Sequence, residues 1–222
     1  MISSATLGFL KSLQKNNNKA WFDENRDKYI KVKNEFELFV AALLQKMSLV
    51  DNDLISLKPK QCTFRINRDI RFSKNKTPYK VGLGASLNRE GKKSIYAGYY
   101  FHLQPGGNSF AGGGLWMPES AGLKKLRQEI DYCFPEFNKI IHASPFQKQY
   151  GALERDEKQM LVNVPRGYDK ENPAANFLKM KSFVATKNIS DSDILQSDLI
   201  KEVTQAFNAL MPLIKFINRA LE

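Results

Sequence analysis

The chain has 222 residues, 42% of them apolar, which is enough to bury a sizeable core. It holds no apolar run near the roughly 18 residues that a membrane span requires. The opening MISSATLGFLKSLQKNNNK has neither a basic leader nor a small-residue cleavage site, so it reads as a mature helix and not a secretory signal. The net charge of +11 is concentrated: residues 61–100 carry nine basic and two acidic side chains, whereas 151–222 are balanced. Localised charge favours a specific anion site or a nucleic-acid face over a generally basic protein.

In chain order, residues 3–48 are expected to be helical. Leu7, Leu10 and Leu13 mark a short helix ended by Asn16, Asn17 and Asn18, which offer turn and cap chemistry. A longer amphipathic helix follows, with Phe22, Tyr29, Val32, Phe36, Phe39, Leu43 and Met47 mostly three and four residues apart. Residues 63–117 switch to period two. Phe64, Ile66, Ile70 and Phe72 form one alternating set, Val81, Leu83, Ala85 and Leu87 a second, and Ile95, Ala97, Tyr99, Phe101 and Leu103 a third. SFAGGGLWM (109–117) reads as a further strand, and short turns predict an antiparallel meander.

From 118 to 222 the pattern returns to helices. PESAGLKKLRQEI places Leu123, Leu126 and Ile130 on one stripe, and LVNVPRGYDKENP suggests a short strand and a loop. Ile200, Val203, Phe207, Leu210, Ile214, Ile217 and Leu221 form the clearest helical stripe, which Pro212 is expected to kink or split. That stripe is expected to pack on the sheet, with a dimer seam as the other reading. The expected fold is a single α+β domain over 1–222, with an antiparallel β-meander of about four to six strands packed by N- and C-terminal helices.

If the apolar sets share the core face, the opposite face carries Gly82, Gly84 and Ser86 beside Tyr96, Gly98, Tyr100 and His102. Gly84 is then expected across from Tyr100 and Gly82 from His102, with Gly112 and Gly114 opposite Tyr100 and Gly98. A glycine floor marks either tight packing or close approach of a ligand over the Tyr100 and His102 rings. The QPGGN turn beside it would offer free backbone donors. Tyr100 supplies a phenolic donor and His102 a proton acceptor near neutral pH, whereas His142 has no such company.

RINRDIRFSKNKTPYK (65–80) holds six basic residues and one acid, Asp69. Alternation aims Arg65, Asn67, Asp69 and Arg71 one way and leaves Arg68 among apolar residues, where its guanidinium must be paired or re-aimed by a bulge. Lys74, Lys76 and Lys80 lie on the following loop. Arginine forks together with lysine point charges suit a polyanionic ligand. Phe72, Tyr79, Tyr96, Tyr100 and Trp116 add rings on which bases could stack, so RNA or single-stranded nucleic acid is the alternative partner. No phosphate-binding glycine loop and no dinucleotide fingerprint is present, and Cys62 and Cys133 stand apart from both histidines, so no cofactor and no metal are expected. Isolated cysteines without an export signal suggest buried, reduced thiols and a cytoplasmic location.

The run RDIRFSKNKTPYK, together with NNNKAWFDENRDKY, GYYFHLQPGG, GGGLWMPE, VPRGYDKENP and KSFVA, closely resembles the bacterial and fungal family known as domain of unknown function 2461, over about residues 7–186. Where that family often has an aromatic this chain has Asn67, and where it often has an acid this chain has Gln104. The resemblance implies a cytoplasmic single-domain protein and carries no activity, substrate or cofactor with it. It adds Arg166, Tyr168, Asp169 and Lys181 as candidates, against a structural reading of RGYD as a turn.

The leading expectation is therefore a protein that binds a small anionic ligand, phosphate- or carboxylate-bearing, through Arg65, Arg68, Arg71, Lys74, Lys80 and Arg166. If it is an enzyme, His102 or Asp69 is the general base, with Tyr100 beside them. A third reading is a scaffold that dimerises through its C-terminal helix.

Overall fold

The computed structural model describes residues 1–71 and 74–222. Three asparagines divide the labour at the first helix boundary. Asn16 ends α1 (Ser4–Lys15), and the Asn18 side chain caps α2 (Lys19–Glu24) by accepting from Trp21 N. Asn25 then separates α2 from α3 (Arg26–Met47), so the single long helix read from the sequence is two. Beyond α3 come α4 (Pro59–Cys62), strands β1 (Leu83–Asn88), β2 (Gly98–Leu103) and β3 (Ser109–Leu115), and helices α5 (Ser120–Tyr132), α6 (Phe134–Ile141) and α7 (Ser144–Tyr150). The chain ends with α8 (Ala175–Leu178), β4 (Phe183–Ile189), α9 (Asp191–Ile194) and α10 (Leu199–Leu221).

The strands form one antiparallel sheet in the order β1-β2-β3-β4, so the fold is α+β. Four strands form among the described residues, and the larger meander of up to six does not. Residues 64–71 were expected as a strand with Phe64, Ile66 and Ile70 in the core. Only isolated bridges form there, Thr63 with Ala85 and Asn67 with Tyr79, and only Ile66 is buried; Phe64 and Ile70 are each 36% exposed. Phe72, the last member of that set, lies outside the described residues. The short strand expected in LVNVPRGYDKENP is also missing, and Val162 stands exposed. β4 was legible only as a block of the family pattern, because Phe183, Val184 and Ala185 are all buried and leave no polar alternation.

The chain divides into two compact units. The first comprises Met1–Lys92, Tyr100–Ala111 and Asn188–Gln205. Its core joins α1 and α3 to β1 and β2: Phe39 packs at 4.8 Å and Phe36 at 6.3 Å from the Phe101 ring, with Leu10, Leu43, Met47, Ala85 and Leu87 buried. The second comprises Lys93–Tyr99, Gly112–Lys187 and Ala206–Glu222. Here Phe137 packs edge-on against Phe177 and Phe183, and Tyr99 meets Phe207 at 5.1 Å.

In β3 of this unit, Gly113 lies beside Gly98 and Tyr99, in keeping with the expected place of Gly114 opposite Gly98. A Cβ at Gly112 or Gly114 would strike β4 backbone, the carbonyls of Ala185 and Phe183, and Gly114 has φ +121. At Gly114 the positive φ turns the missing side-chain direction along the sheet instead of away from it.

α10 runs unbroken through Pro212. Val203, Phe207, Leu210, Ile214, Ile217 and Leu221 are all buried, so this stripe is core and not a dimer seam. Asn218 interrupts the apolar side of α10 and is itself buried. Its Oδ1 accepts from Ala97 N at 2.8 Å and its Nδ2 donates to Ala97 O at 3.2 Å, which substitutes for a neighbouring strand just before β2. Asn218→Ala leaves a buried N–H and C=O unpaired and is expected to cost about 2–4 kcal/mol in denaturant unfolding; a loss below about 0.5 kcal/mol would show that the amide pairing is not needed.

Candidate functional site

In the first unit, β2 places Tyr100, His102 and, just past its end, Gln104 on one side at two-residue spacing. β1 supplies glycine beneath them. A Cβ at Gly84 would stand 2.3 Å from the Tyr100 hydroxyl, and one at Gly82 would stand 3.0 Å from His102 Nε2. The Tyr100 and His102 rings thus reach over Gly84 and Gly82, which share their face as expected. The Cβ of Gln104 lies 3.1 Å from a Cβ placed at Gly82, so Gly82 stands nearer Gln104 than the expected register puts it. The rings lie down across the glycines and fill that part of the floor; they do not stand above it. Phe110 of β3 extends the layer, 5.7 Å from Tyr100 and 5.1 Å from His102, and Phe64 continues it at 6.2 Å from Tyr100.

Hydrogen bonding orders the imidazole. His102 Nε2 lies 3.1 Å from Gln104 Oε1, and Nδ1 lies 3.5 Å from the Tyr100 hydroxyl. With Gln104 Oε1 accepting, the proton sits on Nε2 and the Nδ1 lone pair faces the phenol. Burial pushes the His102 pKa below its ordinary value; the Gln104 hydrogen bond opposes this, and the nearby Lys80 charge reinforces it. Burial also raises the Tyr100 phenol. At neutral pH both groups are therefore uncharged.

The cations gather beside this layer. Arg68 is half-buried: its Nη2 donates to Tyr79 O at 3.4 Å and its Nε is shut away from solvent with no partner. Its expected partner Asp69 is engaged elsewhere. Arg71 donates to both Asp69 carboxylate oxygens, at 3.0 and 2.7 Å, and Arg65 adds longer-range attraction. These bonds hold the Asp69 pKa below its ordinary value, so this exposed carboxylate is a weak base and His102 is the better candidate of the two. Lys80 is half-buried, and burial together with Arg65 and Arg68 lowers its pKa. Its Nζ lies 5.5 Å from the Phe64 ring. Among the described residues, none of Arg65, Arg68 and Lys80 forms an ion pair.

Other sequence candidates are placed differently. Lys74 is exposed, and Lys76 donates to Ile70 O. The QPGGN turn does not offer free donors: the Asp191 carboxylate accepts from Gly106 N and Gly107 N at 3.0–3.1 Å and pairs with Lys11. In the second unit Arg166 is exposed on a turn closed by Tyr168 N to Pro165 O, and Asp169 caps its own loop through Glu171 N, the structural role weighed for it. Lys181 lines a cavity of about 30 Å³ with Trp116, Glu154, Met160, Met180 and Val184, room for roughly one or two waters.

Sequence reasoning missed Phe64, Phe110, Gln104 and Lys92 as parts of the layer. The signals were weak: Phe64 was assigned to the core by alternation, and Lys92 lay in an ordinary charged turn. Lys92 Nζ donates to Lys60 O and Thr63 O and lies 6.0 Å from the Phe64 ring.

Fold and site together define an α+β protein with a ring layer bordered by Arg65, Arg68 and Lys80, which form no ion pair among the described residues. Residues 5–216 match the family model described as Conserved hypothetical protein (DUF2461), and the chain belongs to that family. No curated protein and no solved structure matched the chain. Among the described residues, no helix is long and apolar enough to cross a membrane.

The His102 environment fixes a sign for pH dependence. The folded state resists protonating this ring, so the unfolded chain takes up the proton first as pH falls below 6.5. The His102 contribution to stability is therefore intact above pH 6.5 and declines below it, until the folded ring also titrates. An NMR titration is expected to place the His102 midpoint below 6.5, and His102→Gln is expected to flatten the stability profile over that interval. A midpoint at or above 6.5 would contradict the assigned environment.

Proposed function

We propose that this protein binds a small anionic ligand, phosphate- or carboxylate-bearing, at the ring layer of the first unit. The observation that carries the reading is the grouping of Arg65, Arg68 and Lys80 with no carboxylate paired to any of them among the described residues. Mutually repelling cations, two of them half-buried, raise the energy of the empty protein, and an entering oxyanion relieves that repulsion. Arg68 and Lys80 offer the donor types that suit it, a planar fork and a mobile ammonium. Arg71 is committed to Asp69 and serves the site less directly.

Neutral His102, with its Nδ1 lone pair toward Tyr100, adds a proton acceptor beside the bound group. Chemistry on the ligand would run through this pair, with the arginines stabilising developing negative charge. A nucleic-acid ligand is the second reading, supported by the exposed Phe64 between Lys80 and Lys92, on which a base could stack.

In thermal-shift measurements at fixed ionic strength, inorganic phosphate is expected to raise the unfolding midpoint more than chloride does. Lys80→Ala and Arg68→Ala are each expected to weaken phosphate binding about tenfold or more. A chloride-like response, or phosphate binding that survives both substitutions, would refute the site. Preference for single-stranded oligonucleotides with a steep salt dependence would favour the second reading.

A further inference from the structure

We infer that the ligand of this site carries a planar unsaturated ring attached to its oxyanion, a class that includes aryl phosphates and nucleotides. The inference rests on the anion-binding reading above and adds what the aromatic residues contribute. Phe64 carries 36% of its surface to solvent at the end of a continuous ring layer, Phe64–Tyr100–Phe110–His102. The other three rings of that layer are mostly covered, so Phe64 is its open end.

The exposed ring is held in place from both directions along the chain. Phe64 N donates to Gly84 O, which ties its backbone to β1, and Thr63 bridges Ala85. Lys92 is fixed as well: two carbonyls, Lys60 O and Thr63 O, hold its ammonium at 3.0 and 2.6 Å, so it borders the ring at a set position. Lys80 approaches the same ring at 5.5 Å while keeping Arg65 and Arg68 as electrostatic neighbours. An oxyanion drawn to Lys80 and Arg68 thus arrives within a ring's width of a partly exposed aromatic face, over which Lys80 and Lys92 also lie.

A bare inorganic anion leaves that face wet. A ligand with a planar ring next to its oxyanion covers Phe64 and neutralises Lys80 at once, which gains ring stacking in addition to charge pairing. Both ammonium groups lie over the ring near the outer limit of a cation–π contact, at 5.5 and 6.0 Å, and 36% of Phe64 stays exposed.

The test compares methyl phosphate with phenyl phosphate by calorimetry on the full chain, at one pH and ionic strength, in wild type, Phe64→Leu and Lys80→Ala. Phenyl phosphate is expected to bind wild type about tenfold more tightly than methyl phosphate. In Phe64→Leu the two are expected to bind alike, and circular dichroism of the variant checks that its fold is intact. Lys80→Ala is expected to weaken both. Equal binding of the two phosphates by wild type overturns the ring inference and leaves anion binding standing. A preference for phenyl phosphate that persists in folded Phe64→Leu also overturns it. If wild type binds neither phosphate, the anion-binding reading falls and this inference with it.

Discussion

The side-chain amide of Asn17 clasps the backbone of Tyr79: Asn17 Nδ2 donates to Tyr79 O at 2.9 Å, and Tyr79 N donates to Asn17 Oδ1 at 3.0 Å. The basic segment depends on this contact because it has little ladder structure of its own. Among the described residues between Thr63 and Lys80, two isolated bridges form, supported by single bonds such as Lys80 N to Ile66 O. Stacking of Tyr79 on Phe22 at 3.9 Å fastens the same residue to α2. Lys80 follows directly, and Arg68 leans its Nη2 on the same Tyr79 carbonyl. One anchored residue therefore sets the positions of two of the site's cations. Asn218 performs the equivalent service at Ala97 in the second unit. In both places a side-chain amide stands in for a missing strand.

That anchoring gives the electrostatics their meaning. On a freely moving loop, lysines and arginines separate in water and their repulsion is screened within about a Debye length. Here the backbone bonds and partial burial hold Lys80 near Arg65 and Arg68, and its pKa falls accordingly. Asp69, the acid nearest Arg68 in sequence, does not relieve this because Arg71 takes it, and Asp191 closes the Gly106–Gly107 turn and pairs with Lys11. The same burial keeps His102 neutral, with its lone pair directed along the ring layer. Charge at the border and neutrality within the layer are both consequences of what is held in place.

Much of this was legible in the sequence. The helical stripes of α1, α3 and α10 and the alternation of β1 and β2 follow directly from residue spacing, and parity alone put Gly82 and Gly84 on the face of Tyr100 and His102. Alternation failed where the backbone left the regular extended form. Phe64 and Ile70 lie in a bridged segment and not a strand, and the close approach of Gly112 and Gly114 to the β4 backbone leaves no mark in residue spacing. Partner choice was illegible for a different reason. Which carboxylate meets which cation depends on long-range placement, so Arg71 and not Arg68 received Asp69, and Gln104 emerged as the residue that orients His102. Asn17 looked like one of three interchangeable turn residues, and only the fold distinguishes its task from those of its neighbours.

Lys80 sits beside Arg65 and Arg68 with no ion-pair partner among the described residues, and the proposed ligand would supply the counter-charge. The most direct test is an NMR titration of the Lys80 ammonium in protein labelled at lysine side chains, with Lys80→Arg used for assignment. The account predicts a Lys80 pKa below the ordinary lysine value of 10.5 that rises when phosphate is added. An ordinary Lys80 pKa that phosphate leaves unmoved would contradict it.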